Sequence, residues 1–175
     1  NKILFEAFDF FFPNAEVEVD HDLVGAAYAT YSGEPAISCI LGTGSNSCFF
    51  DGNKIREEVP ALAYILGDEG SGCYFGKQLG RDYFYNRLPD DLKESFEKEY
   101  DLTKDSVVTS VYREPHANVY LAGYMHFIST FQDHPHFEKM LIKAFQRFTD
   151  IHIKCFDNYG EVTVHFIGSV ANFCE

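Results

Sequence analysis

Residues 36–52 read A-I-S-C-I-L-G-T-G-S-N-S-C-F-F-D-G. The run from Ala36 to Leu41 is short, apolar and closed by glycine, the pattern of a buried strand rather than a helix. Gly42-Thr43-Gly44 makes a tight turn, and a second strand follows over residues 45–50. Asp51-Gly52 is among the strongest short hairpin signals, so the chain should return again from about residue 53.

On the N-terminal side, Ile3, Leu4, Ala7, Phe8, Phe11 and Phe12 recur at helical spacing until Pro13. Residues 16–20 alternate acidic residues with valine and read as a short strand. Residues 21–30 read as a helix, with Asp20 or Asp22 as its N-cap. On the C-terminal side, residues 59–66 continue as strand or extended chain, and a helix follows Gly72 to about Asn86. Residues 90–112 are charged and predict one or two short surface helices, and residues 119–131 predict another helix. Phe137, Leu141, Ala144, Phe148, Ile151 and Cys155 then mark one face of a long amphipathic helix. A last strand spans residues 161–167. Hairpins, then helices, then a strand predict a mixed-sheet α/β domain.

Composition narrows the classes. The 175 residues are 46% hydrophobic, with 18 Phe and 11 Tyr, enough for a sizeable core. Fourteen basic against 27 acidic side chains give a formal charge of −13, which argues against non-specific nucleic-acid binding. It leaves nucleotide binding open, because backbone N–H groups and a divalent ion can hold phosphates locally. No apolar run approaches the roughly 18 residues of a membrane span. Five scattered cysteines without a C-x-x-C pair point to a reducing, cytoplasmic setting, with Cys39 and Cys73 as small hydrophobes. The first residue is Asn1, and only seven residues follow the last glycine turn at Gly168. Both ends read as cuts through a longer protein.

Three segments carry chemistry. In Asp20-His21-Asp22-Leu23-Val24-Gly25, a carboxylate at a strand-to-helix junction can accept a proton from a sugar hydroxyl; it can equally cap the helix. In Leu41-Gly42-Thr43-Gly44-Ser45-Asn46, glycines beside Thr43 let backbone N–H groups approach an anion; a plain hairpin turn fits as well. In Gly67-Asp68-Glu69-Gly70-Ser71-Gly72, paired carboxylates before a helix suit polyol recognition, or an N-cap. His134-Pro135-His136 lacks a metal-ligand array and reads as a loop.

Taken in order, D-L-V-G (22–25), G-T-G-S-N (42–46) and G-D-E-G-S-G (67–72) closely resemble the N-acetylglucosamine kinase family. That family belongs with the ATPases that include 2-hydroxyacyl-CoA dehydratase activators, and more widely with actin, hexokinase and the heat-shock ATPases. The resemblance runs from the D-x-x-G turn to Phe166-Ile167-Gly168-Ser169-Val170. It implies a ribonuclease H-like (actin-like ATPase) fold. Residues 1–31 would be the end of an N-terminal lobe and the inter-lobe connection, and residues 32–175 most of the C-terminal lobe of a two-lobed kinase.

By the same resemblance the activity is phosphorylation of an amino sugar, most simply N-acetylglucosamine, by ATP with Mg²⁺. Asp22 is the implied general base and also touches the sugar. Asp68 is the implied ligand of sugar hydroxyls. Thr43 and Gly44 match the phosphate-binding hairpin, and Gly168 with Ser169 the adenosine turn. Leu62 and Ala63 stand where related kinases place an aromatic residue between glycines beside the sugar. Ser169 replaces the family's second glycine. The family's first phosphate loop is not found in these residues, so this segment alone is expected to be inactive. No side chain is assigned to a metal, no nucleic-acid or membrane partner is implied, and a homodimer stays open. Two other functions fit the same motifs: an ATPase activator of the dehydratase type, and a sugar sensor without turnover.

Overall fold

The computed structural model describes residues 2–174. The hairpin forms as its local pattern requires. Strands β1 (Ala36–Leu41) and β2 (Ser45–Phe50) pair antiparallel, with Leu41 opposite Ser45 and Ala36 opposite Phe50. The short β3 (Ile55–Arg56) returns along β2, and β4 (Thr163–Ile167) lies parallel to β1 on its other side. The sheet order is β3-β2-β1-β4, a mixed sheet in an α/β domain, as expected.

Helices follow the chain as α1 (Lys2–Phe11), α2 (Asp22–Thr30), α3 (Ala63–Leu66), α4 (Gly72–Phe84), α5 (Asp90–Glu99) and α6 (Lys104–Tyr112). Then come α7 (Ala117–Gly123), α8 (Met125–Thr130), α9 (Pro135–Phe148) and α10 (Ser169–Phe173). A π-helical turn, Thr149–Ile153, extends α9.

Side chains alternate across the sheet, as strand geometry dictates. Ile37, Cys39, Leu41 and Phe49 join a large core with Phe75, Leu79, Phe96, Phe127, Phe137 and Phe148 from the helices. Cys48 and Phe50 point the other way, against Leu23 and Ala27 of α2. Thr30 and Ser38 stitch α2 to β1, with their hydroxyl oxygens 2.6 Å apart. The sheet is therefore sandwiched between α2 and a thick helical layer.

Several expectations change. Residues 16–20 form no strand: valines alternate there, but no strand of the sheet lies beside them to complete the hydrogen bonds. Residues 59–66 are irregular chain ending in α3, whose Tyr64 carbonyl accepts from Lys77 Nζ. The helix of residues 119–131 is two helices, broken at Tyr124, whose N–H turns to the Leu121 carbonyl at 3.2 Å in a tighter bond. Residues 90–112 do form two helices, but α5 is no mere surface element: Leu92 and Phe96 are buried. Helix α1 forms as read and ends before Pro13, yet it buries none of its residues.

Candidate active site

The site grows out of the C-terminal ends of β1 and β4. Because the two strands run parallel with Ile40 opposite Ile167, the turn at Gly42 and the turn at Gly168 open on the same edge. Ligands of open α/β sheets bind beyond the carboxyl ends of such strands. The contact there is close. Gly168 has φ +115°, and a Cβ on it would sit 2.4 Å from the Leu41 carbonyl oxygen. Only glycine allows both the backbone angle and the approach.

The third segment docks onto this edge through its backbone. Gly72 N–H donates to the Gly42 carbonyl at 2.8 Å, and Cys73 N–H to the Thr43 carbonyl at 3.2 Å. Ser45 Oγ donates to the Glu69 carbonyl at 2.7 Å. Thus Thr43, Gly44, Asp68 and Gly168, distant in sequence, share one edge of the sheet, with Ser169 opening α10 directly after Gly168.

Asp68 is not a helix cap. The N-cap of α4 is Ser71, whose Oγ accepts from Tyr74 N–H at 3.1 Å. Asp68 instead takes φ +60° and turns its carboxylate toward the glycine turn, accepting from Ser45 N–H at 3.4 Å. Gly44 leaves room for it: a Cβ there would lie 3.0 Å from Asp68 Oδ2. Partial burial raises the Asp68 pKa, against the opposing pull of the Ser45 N–H and of the Lys77 charge. The carboxylate is thus half-buried, polarised and unspent by capping.

Neither does Asp22 or Asp20 cap α2. The N-cap is His21, without a side-chain cap bond, and Asp20 Oδ1 accepts from the adjacent His21 N–H at 2.8 Å. Asp22 is the first helical residue and exposed, and among the described residues no hydrogen bond or ion pair joins it to the glycine turns. Leu62 and Ala63 are exposed at the start of α3, with Ala63 at φ +55°, just before the Gly67–Gly72 segment. The G-T-G segment forms the turn between β1 and β2, with Gly42 N–H donating to the Gly44 carbonyl at 2.9 Å.

The motif reading missed what lies beneath. Glu69 is buried, with Oε1 3.4 Å from Arg147 Nε and Oε2 3.7 Å from His152 Nε2. His152 reaches that position through the π-helical turn after α9. The extra residue shifts the helical register, so His152 and Ile153 face the core where the spacing had put Ile151 and Cys155. A polar residue adjoining an apolar stripe is a weak sequence signal, and only the partner on another segment makes it legible.

His134 caps α9, its Nδ1 accepting from His136 N–H at 3.1 Å, so the histidine pair begins the helix rather than a loop. The five cysteines are free thiols. Burial pushes Cys39 up to about 12 and Cys48 and Cys73 to about 11, so these three are protonated packing residues, in accord with the reading of Cys39 and Cys73.

No family model matches the chain, and no curated protein matches it. Solved structures do. A candidate N-acetylglucosamine kinase of Porphyromonas gingivalis is 40% identical, with 98% of this chain and 61% of that one covered at a TM-score of 0.91. A candidate N-acetylglucosamine kinase of Chromobacterium violaceum superposes over 86% of this chain and 53% of that one at a TM-score of 0.66; at 17% identity it speaks for the fold alone. The chain therefore spans about three fifths of the first protein's length and about half of the second's. The chain is thus similar in sequence and in fold, over nearly its whole length, to the Porphyromonas gingivalis protein, and in fold to the Chromobacterium violaceum protein.

Proposed function

We propose that this chain is the larger part of an ATP-dependent sugar kinase with an actin-like ATPase fold, acting on an amino sugar, N-acetylglucosamine first among them. The observation that carries the reading is the convergence of Gly42–Gly44, Asp68 and Gly168 on one edge of the sheet. Phosphoryl transfer asks for positioning and charge stabilisation more than for covalent help. The N–H groups and hydroxyl of Thr43 and its glycine neighbours suit the phosphates, and the close Gly168 turn with Ser169 suits the nucleoside. Asp68 suits a sugar hydroxyl, with Leu62 and Ala63 beside it, and Asp22 is the general base. Closure of a second lobe would bring base and phosphates together and expel water.

Among the described residues no group of three His, Cys, Asp or Glu side chains forms a metal site. Mg²⁺ would then enter with the nucleotide's phosphates, its usual mode. The packing of Cys39, Cys48 and Cys73 inside the protein favours the kinase over a cysteine-ligated electron-transfer ATPase. A free half-buried Asp68 favours sugar chemistry over a spent motif. Among the described residues no helix is long and apolar enough to cross a membrane. We read the protein as a cytoplasmic enzyme meeting small substrates, with a homodimer open.

ADP release by the longer protein, assayed with N-acetylglucosamine, N-acetylmannosamine, glucosamine and glucose, tests the reading. An N-acetylated hexosamine should be preferred, and residues 1–175 by themselves should turn over little. A folded, ATP-binding protein indifferent to every sugar removes the kinase and leaves the other two functions.

A further inference from the structure

Arg147, the partner of Glu69, also lines a cavity of about 720 Å³ walled by α4 and α9, within the size range of small-ligand pockets. Its lining is unlike the rest of the chain. Lys139, Lys143 and Arg147 stand four residues apart along α9, and Arg87 enters from the loop after α4. The cavity holds one carboxylate, Asp82, whose Oδ2 lies 3.2 Å from His136 Nε2. Among the described residues, Arg87, Lys139 and Lys143 have no carboxylate partner at ion-pair distance, although the chain carries 27 acidic side chains against 14 basic ones. Four of those 14 surround this one concavity.

Clustered like charges repel unless an anion joins them, and Arg and Lys together are a phosphate-binding set. We propose that this cleft binds a small phosphate-bearing anion: inorganic phosphate or a sugar phosphomonoester. A concave, helix-walled cavity with a ring of cations suits a compact dianion better than an extended acidic chain. The proposal is independent of the kinase reading. It also links the two regions, because Arg147 is shared: an anion here competes with Glu69 for the same guanidinium.

The test is a ¹H–¹⁵N titration of the chain with inorganic phosphate and, separately, with a hexose 6-phosphate, read at Gln78, Lys139 and Lys143 on the cleft and at Thr43 and Gly44 on the glycine turn. Both anions should shift the cleft resonances with a dissociation constant of about 1 mM. Whichever binds more tightly names the source. Lys139→Gln with Lys143→Gln should weaken the cleft response about tenfold or more and leave the glycine-turn response in place. No cleft shift at saturating phosphate in the folded chain overturns the proposal. So does an undiminished cleft response in the double variant, or a response to a polyglutamate peptide and to neither phosphate.

Discussion

Glu69 and His152 meet inside the protein, Oε2 to Nε2 at 3.7 Å, and each is less than a tenth exposed. Both are tied to β2 by their carbonyls: Ser45 Oγ donates to Glu69 at 2.7 Å and Ser47 Oγ donates to His152 at 2.6 Å. The ring of His152 also stacks on Phe148, 4.8 Å between centroids. The strand, the Gly67–Gly72 segment and the π-helical turn are thereby locked as one unit.

Acid should loosen that lock. Burial lowers the His152 pKa below the ordinary 6.5, outweighing the opposite pull of Glu69 and Asp68. The unfolded imidazole therefore takes up a proton before the folded one does, and stability falls as pH drops below about 6.5. Thermal midpoints measured from pH 7.5 to 5.5 should decline in the native chain. In His152→Gln, where nothing titrates, that slope should flatten; an unchanged slope assigns the effect to another group.

Two glycines one turn apart on α4 should respond with opposite signs. A Cβ at Gly76 would lie 1.8 Å from the Leu121 carbonyl oxygen, so Gly76→Ala must push α7 away from α4. The overpacking cost of about 1–3 kcal/mol or more exceeds the helix-propensity gain of about 1 kcal/mol. At Gly80 nothing lies within 4 Å, and Gly80→Ala should stabilise by up to about 1 kcal/mol. Urea midpoints of the two variants decide whether helix contact sets the difference.

Asp68→Ala in the longer protein should weaken sugar binding about 10- to 150-fold, the worth of a charge-assisted hydrogen bond of roughly 1.5–3 kcal/mol. ATP affinity should hardly change. Calorimetric titration with each ligand separates the two, and the reverse pattern moves Asp68 to the nucleotide side.

Asp22→Asn should leave the thermal midpoint alone, because Asp22 makes no cap bond in the fold. As the proposed base, its loss should cut turnover of the longer protein by about 10²–10⁴, nearer the lower figure if the proton moves late. Near-normal turnover removes Asp22 from the mechanism.

The β1–β2 hairpin was legible because its signals are local: two short apolar runs, a G-T-G stop and Asp51-Gly52. The convergence of Thr43, Asp68 and Gly168 was legible only through resemblance, since nothing in their spacing reports a parallel pairing between β1 and β4. The strand expected at residues 16–20 failed because alternation specifies a face but cannot supply a neighbour. His152 escaped because one inserted residue in the Thr149–Ile153 turn breaks the 3.6-residue period on which the reading of α9 depended. The N-cap alternative was attached to the paired carboxylates, whereas the cap of α4 is Ser71, the residue directly before the helix.

Among the described residues strand β4 pairs with β1 alone, and Phe166 at its margin is 48% exposed. In a strand so placed, alternate amides face the partner and the others face outward. Deuterium should therefore enter Thr163–Ile167 at two speeds, while β1, flanked on both sides, exchanges slowly throughout. The Gly168 turn hangs from that half-protected strand, so it should open on a faster clock than the Gly42–Gly44 turn beside it.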